Sequence, residues 1–269
     1  RREPNNYEWQ KRHRDILSLN QSNPPRRVIL GNSITHFWGG EPKGPSVRGM
    51  ETWEKIMRPA GFHNLGYGFD RIENVLWRVY HGELDGYKAE EVVLMIGTNN
   101  IGINNDNEIV EGIRFLLSAI RQRQPEAKIK VIGILPRRNQ EERVRNLNLR
   151  IRQIAETGWY TFKNPGTKLL QEDGKINESL FSDGLHPNEE GYKRIVDEIA
   201  PLSDSPFTHE SIRATYATPP LPTSECSPYE DSPRNDSTRR ESSPYKRRQS
   251  IPFPPVSRES RLPARRSRR

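Results

Sequence analysis

Hydrophobic positions along the first two hundred residues switch repeatedly between a helical and an extended period. Trp9, His13, Ile16 and Leu17 share one face of a predicted helix over residues 6–19, and a polar loop follows at 20–25. The run Arg27-Val28-Ile29-Leu30, with β-branched Val28 and Ile29, then predicts a first strand, broken by Gly31. A short helix follows from Ser33 to Trp38, stopped by Gly39-Gly40, and residues 50–57 predict another helical segment. A short second strand at 63–65 opens into Gly66-Tyr67-Gly68-Phe69-Asp70. Asp70 and Glu73 form a capping-box-like pair ahead of a helix face made by Ile72, Val75, Leu76, Val79 and Tyr80. Residues 91–96 predict a strand that is continuously apolar after Glu91, as in a strand covered on both sides, and the run stops at Gly97-Thr98-Asn99-Asn100.

The second half keeps this rhythm. A helix over 106–123 carries Ile109, Ile113, Leu116, Leu117 and Ile120 as its buried stripe, and a strand over 128–135 is closed by Pro136. A helix over 141–157 runs through Val144, Leu147, Leu149, Ile151 and Ile154, with a fifth strand at 159–162. A loop over 164–185 leads to a closing helix after Pro187 with Tyr192, Ile195, Val196 and Ile199 inward. Strands alternating with helices at this spacing predict an α/β fold with a five-stranded, mostly parallel sheet and helices on both faces. Ligands bind such folds beyond the carboxyl ends of the strands, where Ser33, the 66–70 turn and Asn99 all fall.

Composition changes the picture from Asp204 onward. That segment holds 11 of the 22 prolines and no periodic apolar pattern, so it cannot bury enough surface to offset the entropy of ordering it. The expected organisation is a domain over 1–203 and a disordered tail over 204–269. The tail carries 13 Lys or Arg against 8 Asp or Glu and accounts for most of the net charge of +8. A nucleic-acid function would therefore rest on the tail alone, with its Arg265-Arg266-Ser267-Arg268-Arg269 end. The single cysteine, Cys226, also lies there and excludes an intramolecular disulfide. The longest apolar run, 92–96, is far short of the ~20 residues of a membrane span. The compartment stays open. A chain starting at Arg1 fits removal of a signal peptide, which would make it periplasmic or secreted, and otherwise it would be cytoplasmic.

Candidate chemistry starts at Gly31-Asn32-Ser33-Ile34. A serine delivered where a strand turns into a helix faces the N–H groups and positive dipole end of that helix, a good seat for a nucleophile. In Asp183-Gly184-Leu185-His186, a carboxylate three residues before an imidazole can accept from its Nδ1–H and leave Nε2 outward as a base. Each stretch also reads as ordinary turn and cap chemistry when taken alone. His36, Phe37 and Trp38 read as core aromatics or as lining of the leaving-group side. Arg137 and Arg138 read as a solvated pair or as contacts to an anionic substrate.

Taken in order, four blocks resemble the SGNH or GDSL-type esterases and acylhydrolases, in the branch similar to the catalytic subunits of platelet-activating-factor acetylhydrolase. They are Gly31-Asn32-Ser33-Ile34, Asn64 to Asp70, Gly97-Thr98-Asn99-Asn100 and Asp183-Gly184-Leu185-His186; Val75-Leu76-Trp77-Arg78 and Gly133-Ile134-Leu135-Pro136-Arg137 resemble the same branch. The resemblance implies a flavodoxin-like three-layer α/β/α sandwich working without a metal or organic cofactor. It makes Ser33 the nucleophile, His186 the base and then acid, and Asp183 the group that orients His186. The oxyanion hole it implies combines the Ser33 N–H, the Asn99 side chain and an amide from Gly68 or Phe69.

Two positions depart from the family pattern. Asn32 stands where Asp is usual, and Phe69 holds the place of the oxyanion glycine, with Gly68 one residue earlier. Phe can offer its N–H there at negative φ, and its ring would narrow the acyl pocket toward acetyl. The expected substrate is thus a small-molecule or glycan ester with a short acyl group, and the branch implies a homodimer. A catalytically weak carbohydrate-binding protein on the same fold and a basic-tail interaction protein remain as alternative readings.

Overall fold

The computed structural model of the chain describes residues 7–157 and 160–200. The expected tail, with Cys226 and the arginine-rich end, lies outside the described residues, as do Asn6 and Trp159 at the edges of two predicted elements.

The elements run α1 (Trp9–Ser22), β1 (Arg27–Gly31), α2 (Ser33–His36), α3 (Met50–Thr52, continued by the π-helical turn Trp53–Met57), β2 (Phe62–Gly66), α4 (Ile72–Tyr80) and β3 (Glu91–Met95). They continue as α5 (Asp106–Arg123), β4 (Lys128–Ile132), α6 (Glu141–Glu156), β5 (Thr161–Lys163) and α7 (Glu189–Ile199). The strands form one five-stranded sheet in the order β2-β1-β3-β4-β5, with every ladder parallel. Alternate residues of each strand face opposite layers. Val28, Leu30, Val92 and Leu94 pack with α1, α4, α5 and α6, whereas Ile29, Val93 and Met95 pack with the π-helical turn and α7. That period-two division inside continuously apolar strands makes the three layers.

Several local expectations are corrected by tertiary contacts. Asp70 does not cap α4: it is fully buried, and the Arg71 N–H is accepted by Asn74 Oδ1 at 3.0 Å instead. Leu149 on α6 is 56% exposed and Tyr80 on α4 is also exposed, so the buried stripes are narrower than the periodicity implied. The β4 strand ends three residues early because Asn148 takes both backbone groups of Ile134, accepting its N–H at 2.8 Å and donating to its carbonyl at 2.9 Å. The inner face of α1 is largely polar, with Arg12, His13 and Asn20 buried beside Ile16.

The sheet order places a topological switch at β1, whose neighbours β2 and β3 are entered from opposite directions. The loops after β1, β2 and β3 therefore emerge together. At this edge Gly31 pairs with Gly66, and a Cβ on Gly66 would stand 2.3 Å from the His36 nitrogen. Only glycine lets α2 fold back this closely over the strand ends.

Candidate active site

Ser33 opens α2 directly after β1, with Asn32 as the N-cap, its Oδ1 accepting the Ile34 N–H at 2.9 Å. The helix has four residues, so its dipole adds little and its contribution is the local N–H groups. His186 arrives from the opposite end of the chain, on the loop that enters α7. Ser182 donates its N–H to the His186 carbonyl at 2.8 Å, and Asn188 caps α7 by accepting from Gly191 at 3.1 Å, so both sides of the loop are fixed.

The three side chains form a continuous line. Ser33 Oγ lies 2.8 Å from His186 Nε2, and His186 Nδ1 lies 2.8 Å from Asp183 Oδ2. With the proton on Nδ1, the imidazole donates to the carboxylate and Nε2 accepts the serine hydroxyl. The other carboxylate oxygen accepts the N–H groups of His186 at 2.8 Å and Leu185 at 3.1 Å, while Gly184 turns the chain at φ +77°. This is the folding-back that an Asp and a His three residues apart require.

Arg48 joins this line without any signal in the sequence. Its Nη1 donates to Asp183 Oδ2 at 3.1 Å, and its guanidinium lies 5.4 Å from the centre of the Phe37 ring, which itself flanks the His186 ring at 5.3 Å. Burial holds the His186 imidazole below its ordinary value; Asp183 opposes this, and Arg48 and Arg137 reinforce it. The His186 imidazole is therefore neutral at pH 7. Burial would raise the Asp183 carboxyl, but the His186 N–H and imidazole outweigh it and hold it well below the carboxylate range.

Of the aromatics after Ser33, Phe37 reaches the site, while His36 and Trp38 are buried. Arg137 binds Thr98, with its Nη1 3.2 Å from the carbonyl, and Arg138 forms a two-pronged exposed pair with Glu178.

The 66–70 turn and the asparagine block are laced together. Asn99 donates Nδ2–H to the Asp70 carbonyl at 2.9 Å, and Asn100 accepts the Ile72 N–H at 3.1 Å. Gly68 gives its N–H to His36 Nδ1 at 3.1 Å, so that amide is already engaged. Phe69 sits at φ +62°, not at the negative φ the sequence reading required of it, and its side chain is largely exposed. The left-handed region is where glycine is usual, the residue that the resemblance led us to expect at this position.

A buried ionic lattice lies under the turn. Arg78 Nε donates to Asp70 Oδ2 at 3.0 Å, Nη1 pairs with Glu83, and Nη2 reaches the Gly31 carbonyl at 3.4 Å. Trp9 completes Asp70 at 2.8 Å, and Tyr67 and His13 complete Glu83. Burial pushes the Asp70 carboxyl up to about 6 against the pull of Arg78, whereas the charge of Arg78 outweighs burial at Glu83 and holds it low. Hydropathy places such charges at the surface; Asp70 and Arg78 lie in stretches that resemble the family, whereas nothing in the sequence marks Glu83. Among the described residues no group of three or more His, Cys, Asp or Glu is arranged to hold a metal ion, and no helix is long and apolar enough to cross a membrane.

The profile of the GDSL-like Lipase/Acylhydrolase family matches residues 29–194. The platelet-activating factor acetylhydrolase IB subunit beta homolog of Drosophila melanogaster is 30% identical over 199 residues, covering 72% of this chain and 84% of its own. Among solved structures, a GDSL-like lipase from Bacteroides thetaiotaomicron superposes with a TM-score of 0.57 at 20% identity, over 71% of this chain and 95% of that one. A carbohydrate esterase family 3 protein from Talaromyces cellulolyticus gives a TM-score of 0.51 at 20% identity, over 65% and 94%. The chain belongs to the GDSL-like lipase/acylhydrolase family and is a carboxylic ester hydrolase.

Proposed function

We propose that the chain removes short acyl groups, acetyl above all, from esters through a covalent intermediate on Ser33. The observation that carries this is the unbroken line from Ser33 Oγ through the imidazole to Asp183, each step 2.8 Å long. Ser33 attacks the ester carbonyl while Nε2 of the neutral His186 takes its proton. Asp183 holds the ring and stabilises the imidazolium. The tetrahedral oxyanion is met by the Ser33 N–H, the Phe69 N–H and the second N–H of the Asn99 amide, whose first is fixed on Asp70. His186 then protonates the departing alcohol, and water repeats the sequence on the acyl-enzyme.

One resemblance and one relative support an acetyl group. By the resemblance Phe69 stands where the oxyanion glycine is expected, and the Drosophila relative is named an acetylhydrolase. For the alcohol half we favour the O-acetyl groups of carbohydrates, in line with the esterase from Talaromyces that shares the fold. The hydrolase domain is taken as residues 1–203, so a chain ending at Leu202 should keep full turnover.

The test is a series of p-nitrophenyl esters from acetate to octanoate, followed by acetate release from acetylated glycans. Acetate should be turned over best, and Ser33→Ala should abolish turnover and labelling by an organophosphonate. Equal rates for acetate and octanoate would refute the short-acyl reading, and labelling of the Ser33→Ala chain would refute the nucleophile.

A further inference from the structure

Residues 67–70 form a turn in which Asp70 donates its N–H to the Tyr67 carbonyl at 3.2 Å, Gly68 keeps out of the positive-φ region, and Phe69 lies at φ +62°. This is the hydrogen bond and sign pattern of a type II turn, with a non-glycine residue at the position that favours glycine. A type I turn connects the same four residues with negative φ at both central positions. The two differ by a flip of the central peptide, here the Gly68 carbonyl and the Phe69 N–H. Because a trans peptide points these groups in opposite directions, fixing one aims the other.

The structure shows what fixes it. Tyr7, just ahead of α1, donates its hydroxyl to the Gly68 carbonyl at 2.8 Å. On the preceding peptide, the Gly68 N–H is accepted by His36 Nδ1 at 3.1 Å. The Tyr7 and His36 rings meet edge to face at 4.9 Å, and a Cβ on Gly68 would lie 3.1 Å from the Tyr7 ring. His36 suits this role because burial, with Arg12 and Arg78, drives its pKa down to about 2, so the ring stays neutral and Nδ1 stays an acceptor. Its proton then sits on Nε2, which is buried with no hydrogen-bond partner among the described residues. A buried polar atom left without a partner fits a ring whose orientation is set by the Gly68 contact.

We infer that Tyr7 and His36 are positioning residues that hold the Gly68–Phe69 peptide in the flip presenting the Phe69 N–H, rather than the Gly68 carbonyl oxygen, to the oxyanion. Without the Tyr7 hydroxyl the turn relaxes toward type I, and the electron-rich carbonyl replaces a donor where negative charge develops. The inference rests on the acyl-transfer reading, and it gives Tyr7, ahead of α1, a positioning role in the oxyanion geometry.

The experiment is a double-mutant cycle of Tyr7→Phe and Phe69→Gly with p-nitrophenyl acetate. Tyr7→Phe should lower kcat about tenfold with KM unchanged, the size of the left-handed penalty for a non-glycine residue. In the Phe69→Gly background the type II turn needs no clamp, so the same change should cost less than about twofold. An unchanged kcat in Tyr7→Phe, or an equal loss in both backgrounds, would overturn the inference. Nitrogen-15 spectra of histidine- and glycine-labelled protein read the clamp without turnover. His36 should be protonated on Nε2 from pH 5 to 9, and the Gly68 amide should shift in Tyr7→Phe. A proton on His36 Nδ1 would overturn the clamp, whereas a wild-type chain with these spectra and no ester turnover would overturn the acyl-transfer reading alone.

Discussion

Replacing Arg48 with methionine should move the acid limb of the pH–rate profile to higher pH. Arg48 and His186 donate to the same oxygen of Asp183, at 3.1 and 2.8 Å, so the two cationic centres are roughly 6 Å apart along that path. The site is partly open, with the Arg48 side chain 24% and the Asp183 side chain 43% exposed, which calls for an effective dielectric between ~40 and bulk water. The repulsion felt by an imidazolium is then about 0.7–1.4 kcal/mol, or roughly half to one pH unit. The sign follows from the chemistry. In the proposed mechanism protonated His186 cannot accept the serine proton, so activity should fall below its pKa, which burial and the two arginines already hold under the ordinary histidine value. Removing Arg48 takes away a lowering influence and leaves Asp183 to His186 alone, and both effects raise that pKa. The profile of kcat/KM for p-nitrophenyl acetate between pH 4.5 and 9 should show the limb about 0.5–1 unit higher, and high salt should move the wild-type limb the same way. An unmoved limb, or one shifted downward, would show that Arg48 does not act on the base through charge.

Asn99→Ala should lower kcat about a hundredfold or more with little change in KM, since one oxyanion donor is worth ~3 kcal/mol in the barrier; a variant at full rate would remove Asn99 from the site. Phe69→Gly should raise stability by up to ~1 kcal/mol in urea denaturation by relieving the positive φ, and a clear loss would mean that the ring's contacts outweigh the strain. Arg78→Met leaves Asp70 and Glu83 buried without their cation and should cost roughly 3–5 kcal/mol; a loss under ~1 kcal/mol would show the lattice to be dispensable.

What the sequence showed and what it hid divide along a physical line. The strand and helix order is written in apolar periodicity, and the Ser33, Asn99 and Asp183–His186 landmarks stand at strand ends or helix entries, where backbone geometry demands recognisable residues. Phe69 was visible as a departure because glycine was expected there, although the φ it adopts was not. Charges that face inward carry no such mark. Arg12, Arg78 and Glu83 look like solvated residues until the fold brings their partners from up to 70 positions away, as His13 meets Glu83. Arg48 lies in an irregular loop, so no period assigned it a face, and its partner Asp183 is 135 residues distant.

These hidden charges give the two halves of the site different supports. The turn carrying Phe69 rests on Asp70, Arg78 and Glu83, all shut off from water, where an ion pair is little screened and breaking it strands a charge. The proposed acid–base half depends on an Asp183 carboxylate that remains in contact with solvent and is shared with Arg48. Salt and surface substitutions can therefore retune the base by fractions of a pH unit without loosening the fold. Substitutions beneath the turn should act on stability and on the proposed oxyanion geometry together. Perturbing Arg48 should accordingly appear in the pH profile at constant urea midpoint, whereas perturbing Arg78 should lower the midpoint and the rate in parallel. The reverse pairing would mean that the lattice tunes chemistry rather than holding the turn.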